Sequence, residues 1–203
     1  MKVTRAAFTR EAPDVRRQAL VAAAETVLAR EGVGGTSVRT ICAEAGVSPG
    51  LLRHYFEGVD ELIAAAYEAV SQRIDAALDA ALATAEASPR ARLLAYLTAS
   101  FAAPVLDPQL LAAWIGFWSL VKTKPRIAAI HAASYASFRA RLEGLLSEAG
   151  ARDTRLAAIA LTATVDGLWL ELCLDPATFA PQEAARIIAR TLESWLPSLR
   201  KEE

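Results

Sequence analysis

Side chains able to hydrogen-bond to an anionic polymer are concentrated in one short stretch near the N-terminus. Residues 37–55 combine serine, arginine, histidine and tyrosine with apolar positions that recur every three or four residues. Hydroxyls and helix-start N–H groups suit phosphate oxygens, and arginine can also contact a guanine edge through two hydrogen bonds. The chemistry indicated is contact with double-stranded DNA. The candidate contacts are Ser37, Arg39, Ser48, Pro49, Gly50, Leu51, Arg53, His54 and Tyr55.

These candidates divide by expected role. Three present hydroxyls to phosphates and so position the protein without selecting a sequence: Ser37, Ser48 and Tyr55. Three can discriminate between base edges: Arg39, Arg53 and His54. Pro49 and Leu51 suit the methyl groups of thymine. The alternative for the two arginines is that they are ordinary solvated residues on the outside of a helix.

The elements that position these residues are two short helices joined at a glycine. Ser37 is expected to cap the first helix and Gly46 to end it, because glycine adopts a positive φ without steric cost. The pair Ser48-Pro49 is a cap and first-turn signature for the second helix. On that helix Leu52 and Phe56 face inward, which leaves the candidate contacts outside. The pattern predicts a helix-turn-helix, whose second helix enters the major groove.

The stretch resembles the N-terminal domain of TetR/AcrR-family transcriptional regulators. The resemblance is carried by Ser37, Ile41, Ala45-Gly46-Val47-Ser48, Gly50, Leu52, Tyr55-Phe56 and Glu61-Leu62. It implies a two-fold dimer that recognises a palindromic operator and releases it when a small molecule binds a second, helical domain. Two positions depart from the family pattern. Arg53 stands where an aromatic residue is usual, and Val59 where a lysine is usual near the start of the fourth helix.

Periodicity is helical along nearly the whole chain and predicts an all-α fold of about nine helices. We expect a helix-turn-helix DNA-binding domain in residues 1–60 and a helical effector-binding and dimerisation bundle in residues 61–203. The last two helices are the candidates for the dimer surface, although the same faces could instead close the core of one subunit. A basic arm over residues 2–10 and the pair Arg16-Arg17 could add DNA contacts, or the arm could be a frayed tail.

Aromatic residues and a carboxylate gather in the second half of the chain. The candidate effector-binding residues are Trp114, Phe117, Trp118, Tyr135, Asp166 and Trp169. Segments 113–118 and 166–170 are similar to the choline-responsive, BetI-like branch of the family. Cations are attracted to aromatic faces and to carboxylates, so the resemblance implies a cationic or aromatic effector. The alternative is that the tryptophans only pack the core.

Composition and motifs exclude several other classes of protein. The net charge of −1 means that DNA affinity must come from a local cluster. Phosphate-binding loops, nucleophile elbows and metal-ligand spacings are not seen, so the sequence predicts no enzyme, no metal and no cofactor. The apolar windows are shorter than a membrane span, and we expect a cytoplasmic protein that does not contact a membrane. The alternative function is a helical ligand-binding or scaffold protein that has lost sequence-specific DNA binding.

Overall fold

The computed structural model describes residues 13–197, and this part of the chain is all helix, turn and loop. A single 3₁₀ turn, Ala99–Phe101, follows α5. The helices are α1 Pro13–Gly35, α2 Val38–Ala45, α3 Pro49–Tyr55, α4 Val59–Thr84, α5 Pro89–Thr98, α6 Pro108–Leu120, α7 Pro125–Glu148, α8 Thr154–Leu174 and α9 Pro181–Glu193.

The first three helices form a small unit around apolar side chains of α1. Leu20, Val27 and Leu28 of α1 are fully buried, as are Ile41 of α2 and Leu52 of α3. The sequence predicts that the first helix stops at Gly32. The backbone does leave helical geometry there, with φ +66° and ψ −174°, and a last turn continues to residue 35. Glycine is required at this break because other residues are strained at positive φ.

Helix α4 connects this unit to the rest of the chain. It has 26 residues and packs against α1 at one end and against α5 and α7 further along. Leu62, Tyr67, Val70 and Leu78 form its buried stripe. Because α4 begins only a few residues after α3, any displacement of α4 also moves α3.

Helices α5 to α9 form the larger bundle, and α6 joins it to α1. The side chain of Gln109 on α6 donates to the hydroxyl of Thr26 on α1 at 3.0 Å. At the start of α7, Lys124 pairs with Asp60 of α4 at 2.6 Å. These contacts add to the packing of α1 against α6. Helices α4, α6 and α7 therefore link the three-helix unit to the larger bundle.

The sequence predicts the helix boundaries within a few residues, with one larger difference. The fifth helix is expected to continue to residue 102, but the α-helix ends at Thr98 and tightens into the 3₁₀ turn. Phe101, in that turn, is buried in the core. The tighter turn therefore places an aromatic side chain inside before the chain reaches Pro104.

One described helix, Thr154–Leu174, is long and apolar enough to cross a membrane by length and composition alone. This apolar segment is longer than the sequence predicts. Core helices of soluble proteins pass the same test. In this fold the helix packs against α6, α7 and α9, and its remaining face is exposed.

Candidate functional site

The helix-turn-helix is held in shape by local caps. The hydroxyl of Ser37 accepts from the backbone N–H of Thr40 at 3.2 Å, and the hydroxyl of Thr40 accepts from the N–H of Ser37 at 2.9 Å. Gly46 ends α2 with φ +64°. The hydroxyl of Ser48 then accepts from the N–H of Leu51 and starts α3. These contacts are all within a few residues of each other, so the angle between α2 and α3 is fixed by the sequence of the motif itself.

The outer face of α2 and α3 is solvent-exposed and carries unpaired positive charge. Two arginines, Arg39 and Arg53, are exposed and form no ion pair within residues 13–197. Arg30 differs, because it pairs with Glu31 and Glu44 and ties α1 to α2. The exposed candidates are Arg39, Ser48, Pro49, Gly50, Arg53 and His54, and the half-buried ones are Ser37, Leu51 and Tyr55.

The other predicted basic contacts have different surroundings. The guanidinium of Arg17 stands 5.1 Å from the centroid of the Phe56 ring, a geometry typical of a cation–π contact. Arg17 therefore covers the end of α3 from the α1 side. The arm over residues 2–10 lies outside the described residues. Val59, at the position where the family usually has a lysine, is half-buried at the first turn of α4.

A cavity lies in the larger bundle, between α4, α6, α7 and α8, with the 3₁₀ turn at its base. Its volume is about 60 Å³. For comparison, an engineered apolar cavity of about 150 Å³ accommodates benzene. A molecule with several heavy atoms can enter only if the walls move apart. Four predicted effector-binding residues line this cavity: Trp114, Tyr135, Asp166 and Trp169.

The polar centre of the cavity is the pair Tyr135 and Asp166. The Tyr135 hydroxyl donates to the Asp166 carboxylate at 3.0 Å. Burial raises the pKa of Asp166 to about 6, while the hydrogen bond from Tyr135 and the charge of Arg139 oppose that rise. Burial also raises the pKa of Tyr135, and the negative charge of Asp166 raises it further. Two open grooves on the protein surface also reach this pair, so it stands between solvent and the cavity.

Aromatic rings surround the same pair. The ring of Trp114 meets that of Trp169 edge to face at 5.8 Å. The indole N–H of Trp169 donates to the backbone carbonyl of Ser100 at 2.8 Å, which fixes the ring. The indole N–H of Trp114 is buried without a hydrogen-bond partner of normal geometry in the described part of the chain, although it is close enough to Tyr135 to lower that hydroxyl's pKa.

Phe117 and Trp118, also predicted as effector contacts, do not line the cavity. Phe117 is fully buried and stacks on Tyr67 with centroids 4.5 Å apart. Trp118 faces one of the outer grooves, which it shares with His131, Tyr135 and Asp166. The Nδ1 atom of His131 is 3.1 Å from the Tyr67 hydroxyl. Burial lowers the pKa of His131, as does Arg139. His131 therefore bonds to Tyr67, and the hydrogen-bond partner of Asp166 is Tyr135.

Several cavity residues were not predicted from the sequence. On α4 these are Ser71, Ile74, Asp75 and Leu78, and on α7 they include Ser134 and Phe138. The sequence does show an apolar stripe along α4, which includes Ile74 and Leu78. Ser71 and Asp75 each come one residue after a member of that stripe and so lie beside it on the helix. Nothing in the sequence indicates that a cavity lies there.

The fold and its exposed basic helix pair define a helix-turn-helix DNA-binding protein with a second domain that encloses a cavity. Residues 20–66 match the family model for bacterial regulatory proteins of the tetR family, and residues 89–197 match that for the BetI-type transcriptional repressor, C-terminal. The chain belongs to the TetR family of transcriptional regulators, with a C-terminal domain of the BetI type.

Individual relatives agree with this assignment. The BetI regulator of Vibrio vulnificus is 30% identical over 191 residues, which cover 91% of this chain and 94% of the relative. A putative transcriptional regulator from Pseudomonas aeruginosa PAO1 is 45% identical, with a TM-score of 0.84 and coverage of 93% and 94%. A regulator from Saccharomonospora viridis, solved in complex with choline, shares the fold with a TM-score of 0.81 at 18% identity and coverage of 90% and 98%.

Proposed function

We propose that this regulator is a homodimeric, cytoplasmic repressor that binds a palindromic operator and releases it when a cationic small molecule enters the cavity. The observation that carries the proposal is the half-buried carboxylate of Asp166, which forms no ion pair within residues 13–197 and lies among aromatic rings. A half-buried carboxylate that forms no ion pair attracts a cation, and aromatic faces add to that attraction. Choline is the first candidate, because a regulator of the same fold binds it.

On the DNA side, Arg39 and Arg53 supply the unpaired charge of the exposed face. Their guanidinium groups can contact base edges or phosphates, and His54 stands beside Arg53 on α3. Ser37, Ser48 and Tyr55 can add phosphate contacts through their hydroxyls. Pro49 and Leu51, at the start of α3, can pack against thymine methyl groups, and Gly50 between them allows the helix to approach the groove closely. A monomer offers only one such helix, so specific affinity requires a pair.

The exposed face of α8 supports the dimer. Its residues are apolar or small and recur at steps of three and four along the whole helix: Leu156, Ile159, Ala163, Gly167, Leu170 and Leu174. Ile187 of α9 is exposed as well. On other faces of the same two helices, Ala157, Leu161 and Ile188 are buried inside the subunit. We therefore place the dimer surface on the opposite side of α8 from those residues. A continuous apolar face of this length indicates a protein interface.

Release of the operator follows from the helices that the cavity shares with the rest of the molecule. A cation that pushes the walls apart acts on α4, α6 and α7, which all contact the DNA-binding domain or continue into it. A shift of α4 reorients α3, and in a dimer the separation of the two α3 helices changes. The ligand drives this change only by binding one arrangement more tightly than the other, typically by about 1–3 kcal/mol.

A gel-shift titration tests the proposal. DNA flanking the coding region is shifted by the full-length protein, and choline is then added over a concentration series. We expect choline to dissociate the complex of the wild type and to have little effect on that of Asp166→Asn, which still binds DNA. Glu86→Gln removes a similar charge from an exposed loop and serves as the matched control. A protein that shifts no DNA sequence selectively would instead support the scaffold alternative.

A further inference from the structure

On the cavity wall, the Ser71 hydroxyl, like the indole N–H of Trp114, lacks a hydrogen-bond partner among the described residues. Ser71 is 7% exposed, and its hydroxyl forms no hydrogen bond within residues 13–197. Several helical hydroxyls elsewhere in the described chain bond to the carbonyl four residues earlier, as Thr98 does to Leu94 and Thr162 to Ala158. Buried polar groups are nearly always satisfied. The Ser71 hydroxyl is therefore free to bond to a water or a ligand inside the cavity.

A carboxylate stands one helical turn further along the same face of α4. Asp75 lies at the exposed rim of the cavity and forms no ion pair with any described residue. Burial raises its pKa, the charge of Asp79 raises it further, and Arg141 opposes the rise. Arg141 itself pairs with Asp79. Asp75 thus retains a negative charge that no neighbouring cation neutralises directly.

The cavity has a second, separate carboxylate on another wall. Asp166 is on α8, and the groups that act on its pKa, Tyr135 and Arg139, are both on α7. None of them is among the groups that act on Asp75, and neither carboxylate acts on the pKa of the other. The two acids therefore line the cavity from different helices, Asp75 one turn from Ser71 on α4 and Asp166 bonded to Tyr135. The rings that line the cavity with them are Trp114, Tyr135, Phe138 and Trp169.

We propose that the cavity takes a ligand with two cationic nitrogens, one held at Asp166 and the other, a protonated amine, held by Ser71 and Asp75. This inference rests on the proposed function and narrows its effector class. A quaternary ammonium has no N–H to donate to Ser71 and neutralises only one carboxylate. A protonated primary amine donates up to three hydrogen bonds, and a methylene chain can pass between the aromatic rings.

Calorimetric titration of the full-length protein tests this directly. The probes are 1,4-diaminobutane and 1,6-diaminohexane, each compared with the monoamine of the same chain length, and tetramethylammonium as a cation without N–H groups. We expect at least one diamine to bind about tenfold more tightly than its monoamine, since hydrogen bonds between charged groups contribute on that scale.

Variants distinguish the α4 side of the cavity, with Ser71 and Asp75, from the α8 side, with Asp166. Ser71→Ala and Asp75→Asn should each weaken the diamine about tenfold and leave tetramethylammonium within about twofold. Asp166→Asn should weaken both classes, and Glu86→Gln neither. Diamines that bind no better than monoamines, or an unchanged diamine affinity in either α4 variant, would overturn the inference. If choline still releases the operator in that case, the proposed function stands; if no cation binds at all, both fail.

Discussion

Gly116 of α6 lies directly against Leu28 of α1. A Cβ atom placed on Gly116 would be only 2.8 Å from the Cγ atom of Leu28. Two residues earlier on α6, Trp114 lines the cavity. Because Leu28 is fully buried, it cannot move aside without disturbing the core of the DNA-binding domain. A shift of α6 at the cavity is therefore transmitted to α1 through a contact with no free space.

The first prediction concerns this contact. Gly116→Ala should destabilise the protein by about 1–3 kcal/mol, because the added methyl group overpacks the α1–α6 contact. Gly144→Ala is the matched control, since a Cβ atom there meets nothing within 4 Å on the exposed side of α7. It should stabilise the protein by about 0.5–1 kcal/mol through helix propensity alone. Urea unfolding measures both, and a stabilised Gly116→Ala variant would disprove the tight contact.

The second prediction concerns the exposed arginines. Arg39→Ala and Arg53→Ala should each raise the operator Kd at least about tenfold, the range expected for a lost base or phosphate contact. If the lost contact is to a phosphate, the slope of log Kd against log salt concentration should also fall by about one. Arg152→Ala, in the exposed loop before α8, is the control of equal charge. Operator binding that is the same in all three variants would remove α2 and α3 from the DNA interface.

The third prediction is a pH dependence of cation binding. The pKa of Asp166 is raised to about 6, so its carboxylate is charged above that pH and neutral below it. Affinity for choline should therefore be full near pH 8 and fall about tenfold by pH 5, one unit below the pKa. The charged or titratable groups nearby are Tyr67, Lys122, His131, Tyr135, Arg139 and Arg155.

Asp166→Asn distinguishes the carboxylate from these neighbours. The variant should bind choline weakly and with little dependence on pH. If the wild type loses no affinity between pH 8 and pH 5, Asp166 is not the group that holds the cation. Stability changes in the opposite direction to affinity: because the folded pKa lies above the unfolded one, stability falls as pH rises from about 4 to about 6, and the variant lacks this fall.

The fourth prediction concerns the exposed face of α8. Ile159→Glu should weaken the dimer at least tenfold, because it places a charge in the middle of the apolar stripe, and operator binding should weaken with it. Val15→Glu changes an exposed apolar residue on α1, outside that stripe, and should leave the dimer intact. Sedimentation equilibrium measures both. A dimer of undiminished strength in Ile159→Glu would place the interface elsewhere.

The helix-turn-helix could be predicted in detail because its determinants are local. Ser37, Gly46 and Ser48 cap or end helices within four residues of themselves, so the motif is visible in the sequence. The effector cavity depends on packing between distant segments. Tyr135 and Asp166 were found because aromatic and acidic residues are conspicuous, but their 31-residue separation hides the hydrogen bond that joins them.

Helical spacing alone could not assign the aromatic residues of α6 or the polar residues of α4. Trp114 and Trp118 are one turn apart, yet α6 divides its surface between the cavity, α1 and an outer groove, and Phe117 turns toward Tyr67. Ser71 and Asp75 look like ordinary polar flanks of an amphipathic helix. Only the arrangement of α4 against α7 and α8 brings them to a cavity. The role of each of these residues in binding, and a domain division at residue 60, stay predictions.

The proposed release of the operator requires that a cation in the cavity change the separation of the two α3 helices. The most direct measurement is the distance between nitroxide spin labels on Glu57→Cys in the dimer, with Cys173 replaced by serine, before and after saturation with choline. Glu57 is exposed in the turn between α3 and α4. We predict a shifted distance distribution, and no shift in Asp166→Asn. An unchanged distribution in the wild type, with choline demonstrably bound, would show that cation binding does not change the separation of the α3 helices.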